Sequence, residues 1–95
     1  MNIIWSAEAK YTFYSNRNYL LHNWSVVTAQ KFVENTLHTL NLLIKNPYLG
    51  KYKMDLKCHV VLISKHISLH YQINNDCIVL IIFWDNRKKP QNQNL

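Results

Sequence analysis

The stretch CIVLIIFW, residues 77–84, sets eight apolar residues in succession. It is rich in β-branched and aromatic side chains, which favour a pleated strand, and it lacks the apolar–polar alternation of a strand with one wet face. A strand of this kind is covered on both faces and has a neighbour on each edge. The rest of the chain must supply those neighbours.

Two upstream runs share this composition. HVVLIS (59–64) and ISLHYQI (67–73) are separated by Lys65-His66, and Asn74-Asn75-Asp76 precede the long run, so both junctions suit tight hairpins. The three runs form a meander. In 67–73, Ile67, Leu69, Tyr71 and Ile73 alternate with Ser68, His70 and Gln72, so one face is covered and the other is wetter. With Lys65-His66 as a two-residue loop, His59 falls opposite Gln72 and Val61 opposite His70. The wetter face then gathers His59, Ser68, His70 and Gln72. NIIW (2–5) is the strand that remains for the free edge of 77–84, which gives a mainly antiparallel four-stranded sheet.

Between the first strand and the meander the period changes from two to that of a helix. Ser6 is a candidate N-cap with Glu8 in the first turn, and a helix follows from Ala7 to His22. Its apolar stripe is Ala9, Phe13, Leu20 and Leu21, widened by Tyr11, Tyr14 and Tyr19, with Arg17 and Asn18 toward water. Ser25 caps a second helix, in which Ala29, Phe32, Val33, Thr36, Leu37, Leu40, Leu43 and Ile44 recur at helical spacing until Asn46-Pro47 stops it. Only Asn23-Trp24-Ser25 joins the two, so they fold back as an antiparallel hairpin. Residues 46–57 carry the one glycine and three lysines, show no periodicity and read as a connection. The expected class is α+β: a helical hairpin over one face of the sheet, with Phe32, Val33, Leu37, Leu40, Tyr71, Ile81 and Phe83 in the core.

At 95 residues this is one domain, residues 1–90, with 91–95 as a frayed tail. Charge is unevenly placed within it. Residues 1–44 hold three cations against two acids, and residues 45–95 hold eight against three, so nearly all of the net +6 lies in the second half. Such a balance favours a polyanion or an acidic protein as partner. Cys58 and Cys77 form no metal-type pair and imply reduced thiols within strands. No apolar run approaches the roughly 18 to 20 residues that span a bilayer, so the expected location is the cytoplasm.

Phosphate-loop and nucleophile-elbow motifs are absent, as is a carboxylate pair for glycosidic work. Five histidines show no metal-ligand spacing, and neither metal nor cofactor is expected. His59 and His70 are candidates for proton transfer, set against a reading as two solvent-facing strand residues. Lys51, Lys53, Lys57, Lys65 and Arg87-Lys88-Lys89 could hold phosphates, and Tyr48, Tyr52 and Trp84 could stack on bases; the same residues suit an acidic peptide equally well.

The order of strand, helical hairpin, glycine-containing loop and meander, with NPYLG (46–50), SKHISLHYQI (64–73) and IIFWDNRKKP (81–90), resembles the RelE/ParE superfamily of toxins from type II toxin–antitoxin modules. The resemblance covers Ile3 to about Pro90. It implies a growth-inhibiting toxin neutralised by a cognate antitoxin, whose acidic amphipathic segment covers an apolar groove and the basic half. It also implies one of two targets: ribosome-bound mRNA, cleaved by RelE-like members, or DNA gyrase, inhibited by ParE-like ones. Where RelE-like toxins carry basic side chains on the meander, this sequence aligns His59, Val61 and Ser68, so the expectation leans to a ParE-like inhibitor without phosphodiester chemistry. In the alternative, an endoribonuclease, His59, His70 and Arg87 are the catalytic candidates. Contacts to target or antitoxin are expected from Lys51, Lys53, Lys57, Trp84, Arg87 and Lys88.

Overall fold

The computed structural model describes residues 1–87, so Lys88, Lys89 and the tail 91–95 lie outside the described residues. Strand β1 (Asn2–Trp5) leads into helices α1 (Ala7–Asn23) and α2 (Val26–Lys45), followed by β2 (Lys51–Lys53), β3 (Cys58–Leu62), β4 (Ile67–Asn74) and β5 (Cys77–Asp85). Both expected caps form: Ser6 Oγ accepts from the Ala9 N–H at 3.0 Å, and Ser25 Oγ from the Thr28 N–H at 3.0 Å. The sheet order is β1-β5-β4-β3-β2, antiparallel except for the parallel β1–β5 pair. The long apolar run is therefore central, with β1 on its outer edge as its composition requires.

Three features of the sheet and core depart from the sequence reading. The sheet has five strands, because Lys51–Lys53 pairs with β3 at the far edge. All three residues of that strand are exposed, a pattern indistinguishable from a loop in sequence and typical of a short, lysine-bearing edge. The β3–β4 loop is also longer than two residues: the N–H groups of Ile63 and Ser64 both bond to the Ile67 carbonyl, and Leu62 pairs with Ser68. His59 therefore stands opposite Tyr71 and Val61 opposite Leu69. A slip of one residue moves a side chain to the other face, so His59 leaves the face that carries His70. Finally, Leu37 is 56% exposed and Ile81 only half-buried, so neither belongs to the core.

The core lies between the hairpin and one sheet face. Phe32, Leu43, Leu69, Tyr71, Ile78, Leu80 and Phe83 are almost wholly buried, and the Phe13 ring sits 5.3–5.4 Å from the rings of Trp5, Phe32 and Phe83. β1 ends opposite Leu80, and past that point side chains replace it along the outer edge of β5. Ser6 Oγ donates to the Ile81 carbonyl at 3.1 Å, Thr12 Oγ1 accepts from the Phe83 N–H at 2.9 Å, and Asn16 Nδ2 donates to the Phe83 carbonyl at 3.0 Å. The buried Asn16 is thus part of the sheet's bonding and not a polar misfit in a helix. Arg17, expected in water, is half-buried over the Tyr14 ring and donates to Asn18.

Candidate functional site

Strand register places the candidates on two faces. On the face away from the helices, cross-strand partners line up as Lys51, Val60, His70 and Ile82, with Leu62, Ser68 and Trp84 in the adjacent row. Lys53, Cys58, Gln72, Val79 and Ile4 continue this surface toward the other end. It is apolar for an uncovered face: Val60, Val79, Ile82 and Trp84 are half-exposed, and Leu62 is 62% exposed. His70 is half-buried among them, and burial lowers its pKa below the usual 6.5. Ser68 is buried and bonded to Asn86 Nδ2 at 2.7 Å, which brings the residue after β5 down onto β4.

His59 belongs to the opposite side of the sheet, beyond the cover of the helices. Its ring stacks on Tyr71 at 5.3 Å, and Tyr52 and Tyr48 stand edge-on at 5.1 and 5.8 Å. The rings of His59, Tyr52 and Tyr48 border an opening of about 320 Å³ that Lys57, Gln72 and Asn74 also line. Tyr71 fixes the segment beneath it: its hydroxyl accepts from the Gly50 N–H at 2.8 Å and donates to the Pro47 carbonyl at 2.7 Å. A Cβ at Gly50 would meet that hydroxyl at 2.8 Å, so glycine is required by close approach. Lys57 occupies the turn between β2 and β3 with φ of 56°, and its carbonyl accepts from Gln72 Nε2.

Arg87 sits in a third place. Its Nε and Nη2 bond to the two Asp85 carboxylate oxygens at 3.0 and 2.8 Å, while the guanidinium lies 5.5 Å from the centre of the Tyr19 ring on α1. This side chain ties the end of β5 to the hairpin. Of the three candidates for phosphodiester chemistry, His59, His70 and Arg87, the fold brings no two together. Among the binding candidates, Lys51, Lys53 and Trp84 share the uncovered face, Lys57 borders the tyrosine opening, Arg87 is tied to Asp85 at the end of β5, and Lys88 lies outside the described residues. Sequence reasoning missed Val60 and Leu62 as surface residues, because the shorter loop it assumed turned them inward.

Among the described residues no three His, Cys, Asp or Glu side chains converge to hold a metal ion, and no helix is long and apolar enough to cross a membrane. Cys58 is buried and its thiol pKa is raised by burial and by Asp55, which keeps it protonated and unreactive.

No family model matches the sequence, and no curated protein is detectably similar to it. Solved structures are similar in fold. The chromosomal ParDE toxin–antitoxin system from P. aeruginosa contains a chain that superposes with a TM-score of 0.73 at 12% identity, over 90% of this chain and 95% of that one. A YoeB/ParE toxin from Agrobacterium tumefaciens gives 0.63 at 12% identity, over 90% and 98%. The heterotetrameric YoeB–YefM toxin–antitoxin complex from Staphylococcus aureus gives 0.60 at 20% identity, over 87% and 93%. The chain therefore has the α+β fold of RelE/ParE-type toxins.

Proposed function

We propose that this chain, built on the fold of RelE/ParE-type toxins, is the toxin of a type II toxin–antitoxin module, and that it arrests growth in the cytoplasm by occupying DNA gyrase. A cognate antitoxin with an acidic amphipathic segment holds it inactive. The observation that carries the inhibitor reading is the composition of the uncovered face, where Val60, Leu62, Ser68 and Trp84 surround His70. Cleavage of a phosphodiester develops negative charge that fixed cations must stabilise, and removal of one such donor typically costs about 10²–10³ in rate. Here the nearest strand cation, Lys51, stands two strands away from His70, and Arg87 is engaged with Asp85. Occupying a protein surface asks only for apolar contact and a basic margin.

A second reading, ribosome-dependent mRNA cleavage, is favoured by His70 alone. Its lowered pKa leaves the imidazole unprotonated near neutrality, the state that a general base needs. The two readings part in one experiment. Purified chain is assayed for inhibition of gyrase supercoiling and for mRNA cleavage on translating ribosomes, with His59→Ala, His70→Ala and Arg87→Ala in both. Supercoiling inhibited by the wild type and by both histidine variants supports the proposal; cleavage abolished by His70→Ala installs the nuclease. Growth arrest on expression, relieved by the adjacent reading frame, tests the module itself.

A further inference from the structure

Two exposed tyrosines stand in one opening, where an apolar ring in water calls for a reason. Tyr48 is 72% and Tyr52 52% exposed, and both rings lie at 69° to the imidazole of His59. The imidazole rests nearly flat against buried Tyr71, whose hydroxyl pins the Pro47 carbonyl and the Gly50 N–H. The segment that carries both tyrosines is therefore fixed from beneath, while most of each ring stays in water.

Polar groups complete the opening. Gln72 Nε2 is engaged by the Lys57 carbonyl, which leaves Gln72 Oε1 as an acceptor, and Asn74 offers a donor and an acceptor. Lys57 is the one lysine or arginine that lines it, no acidic residue does, and Lys57 makes no ion pair among the described residues. Its φ of 56° suits glycine or asparagine better than lysine, so a cation stands here against the preference of its own backbone.

This lining selects its guest. A planar ring laid face to face on either tyrosine meets the imidazole edge-on, with the two amides left to bond its polar edge. A quaternary ammonium, another guest of aromatic rings, would meet Lys57 and find no carboxylate. A purely apolar ring would strip water from Gln72 and Asn74 without replacing their hydrogen bonds. A nucleobase answers both objections, since it stacks on tyrosine, carries donors and acceptors along its edge and brings a phosphate for the lysine. One phosphate is enough: alternation in β2 turns Tyr52 to this side and sends Lys51 and Lys53 to the uncovered face, so Lys57 stands alone. A nucleic-acid strand needs a cationic track for successive phosphates, which the lining of this opening lacks.

We propose that the opening bordered by Tyr48, Tyr52 and His59 binds a free nucleoside monophosphate, its base stacked on a tyrosine, its polar edge toward Gln72 and Asn74, and its phosphate beside Lys57. The site lies across the sheet from Ser68, His70 and Trp84. It is separate from the face on which the inhibitor and nuclease readings turn, and it rests on neither of them.

The probe is adenosine 5′-monophosphate, titrated into the full chain and followed by calorimetry and by the ring resonances of the tyrosines. Saturable binding with shifts at Tyr48 and Tyr52 is expected. Ribose 5-phosphate, which lacks the base, should bind on the order of tenfold more weakly, as should the nucleotide to Tyr52→Leu. Lys57→Gly removes the cation and suits the backbone there, so it should fold normally and weaken the nucleotide about two- to fivefold while leaving adenosine unaffected. Lys10→Gln removes the same charge beside Trp5, at the opposite edge of the sheet, and should leave the affinity unchanged. Circular dichroism checks that each variant is folded. Absence of saturable binding at millimolar nucleotide overturns the proposal, as does equal weakening by Lys10→Gln, which would reveal attraction to net charge alone. Displacement by tetramethylammonium would overturn it in favour of a cation cage. Hexa-adenylate that binds more than about a hundredfold tighter than the mononucleotide, and loses that affinity with Tyr52→Leu, would overturn it in favour of a nucleic-acid strand.

Discussion

The two halves of β5 meet the same requirement by different means. From Cys77 to Leu80 the outer edge is served by β1, backbone to backbone and in continuous parallel register. From Ile81 onward it is served by three side chains, Ser6, Thr12 and Asn16, which take up the Ile81 carbonyl and both polar groups of Phe83. A buried strand cannot leave its edge unbonded, so α1 completes the ladder that β1 begins. The change of partner coincides with an irregularity on the inner edge, where the β4 register shifts between His70 and Tyr71. A helix can act as an edge strand if it carries hydroxyl and amide groups one turn apart.

The comparison is sharpest where the halves should behave alike. Ile78 and Phe83, one in each half, are both buried in a single apolar cluster. In denaturant unfolding Ile78→Ala should cost about 2–5 kcal/mol and Phe83→Ala about 3–5 kcal/mol; a small loss at either position would show that the core is not continuous across the junction. The halves should part at Asn16→Leu, which strands the Phe83 carbonyl and should cost about 1–3 kcal/mol. Thr12→Val should speed hydrogen exchange of the Phe83 amide while amides paired with β1 stay protected. If Phe83 exchange is unchanged, the side-chain ladder carries no weight.

A smaller effect lies just above the junction, at His70, which pairs with Ile82. Burial holds its pKa below the usual 6.5, so between the folded and unfolded values the unfolded chain binds more protons. Stability should therefore be undiminished above pH 6.5 and fall as the pH drops below it. His70→Gln should lose less in thermal midpoint than the wild type between pH 7 and pH 5. Arg87→Ala, which breaks a partly exposed ion pair, should cost about 0–1 kcal/mol, the least of these changes.

The lower half was legible in the sequence and the upper half was not. Eight apolar residues announce a covered strand, and the assignment of Asn2–Trp5 to its edge follows by elimination. Asn16 gives no such signal, because a polar residue within an amphipathic helix reads as solvent-facing whether or not a carbonyl waits for it. Local chemistry fixed both serine caps, but the histidine faces depended on a single residue of loop length. Ile63 reads as the next strand residue, yet its N–H turns to Ile67 and moves His59 across the sheet. The face expected to join His59 and His70 therefore did not form although the sheet did, since periodicity survives a one-residue slip and side-chain placement does not. Arg87 was read as an available cation, and only its geometry with Asp85 and Tyr19 shows that it ties the end of β5 to α1.

The parallel pairing of β1 with β5 also governs the order of assembly. Ser6 and Ile81 are separated by 75 positions, so the strand at residues 2–5 stays unpaired until the most apolar stretch of the chain has been made and has folded back. Contacts of such long range are slow to form, and until they close both strands offer bare edges to other chains. Any bulky fusion that holds residues 2–5 away from Cys77–Leu80 should therefore appear first as lost yield and aggregation during expression, ahead of any change in binding. A tag placed at the other end of the chain leaves this closing step free.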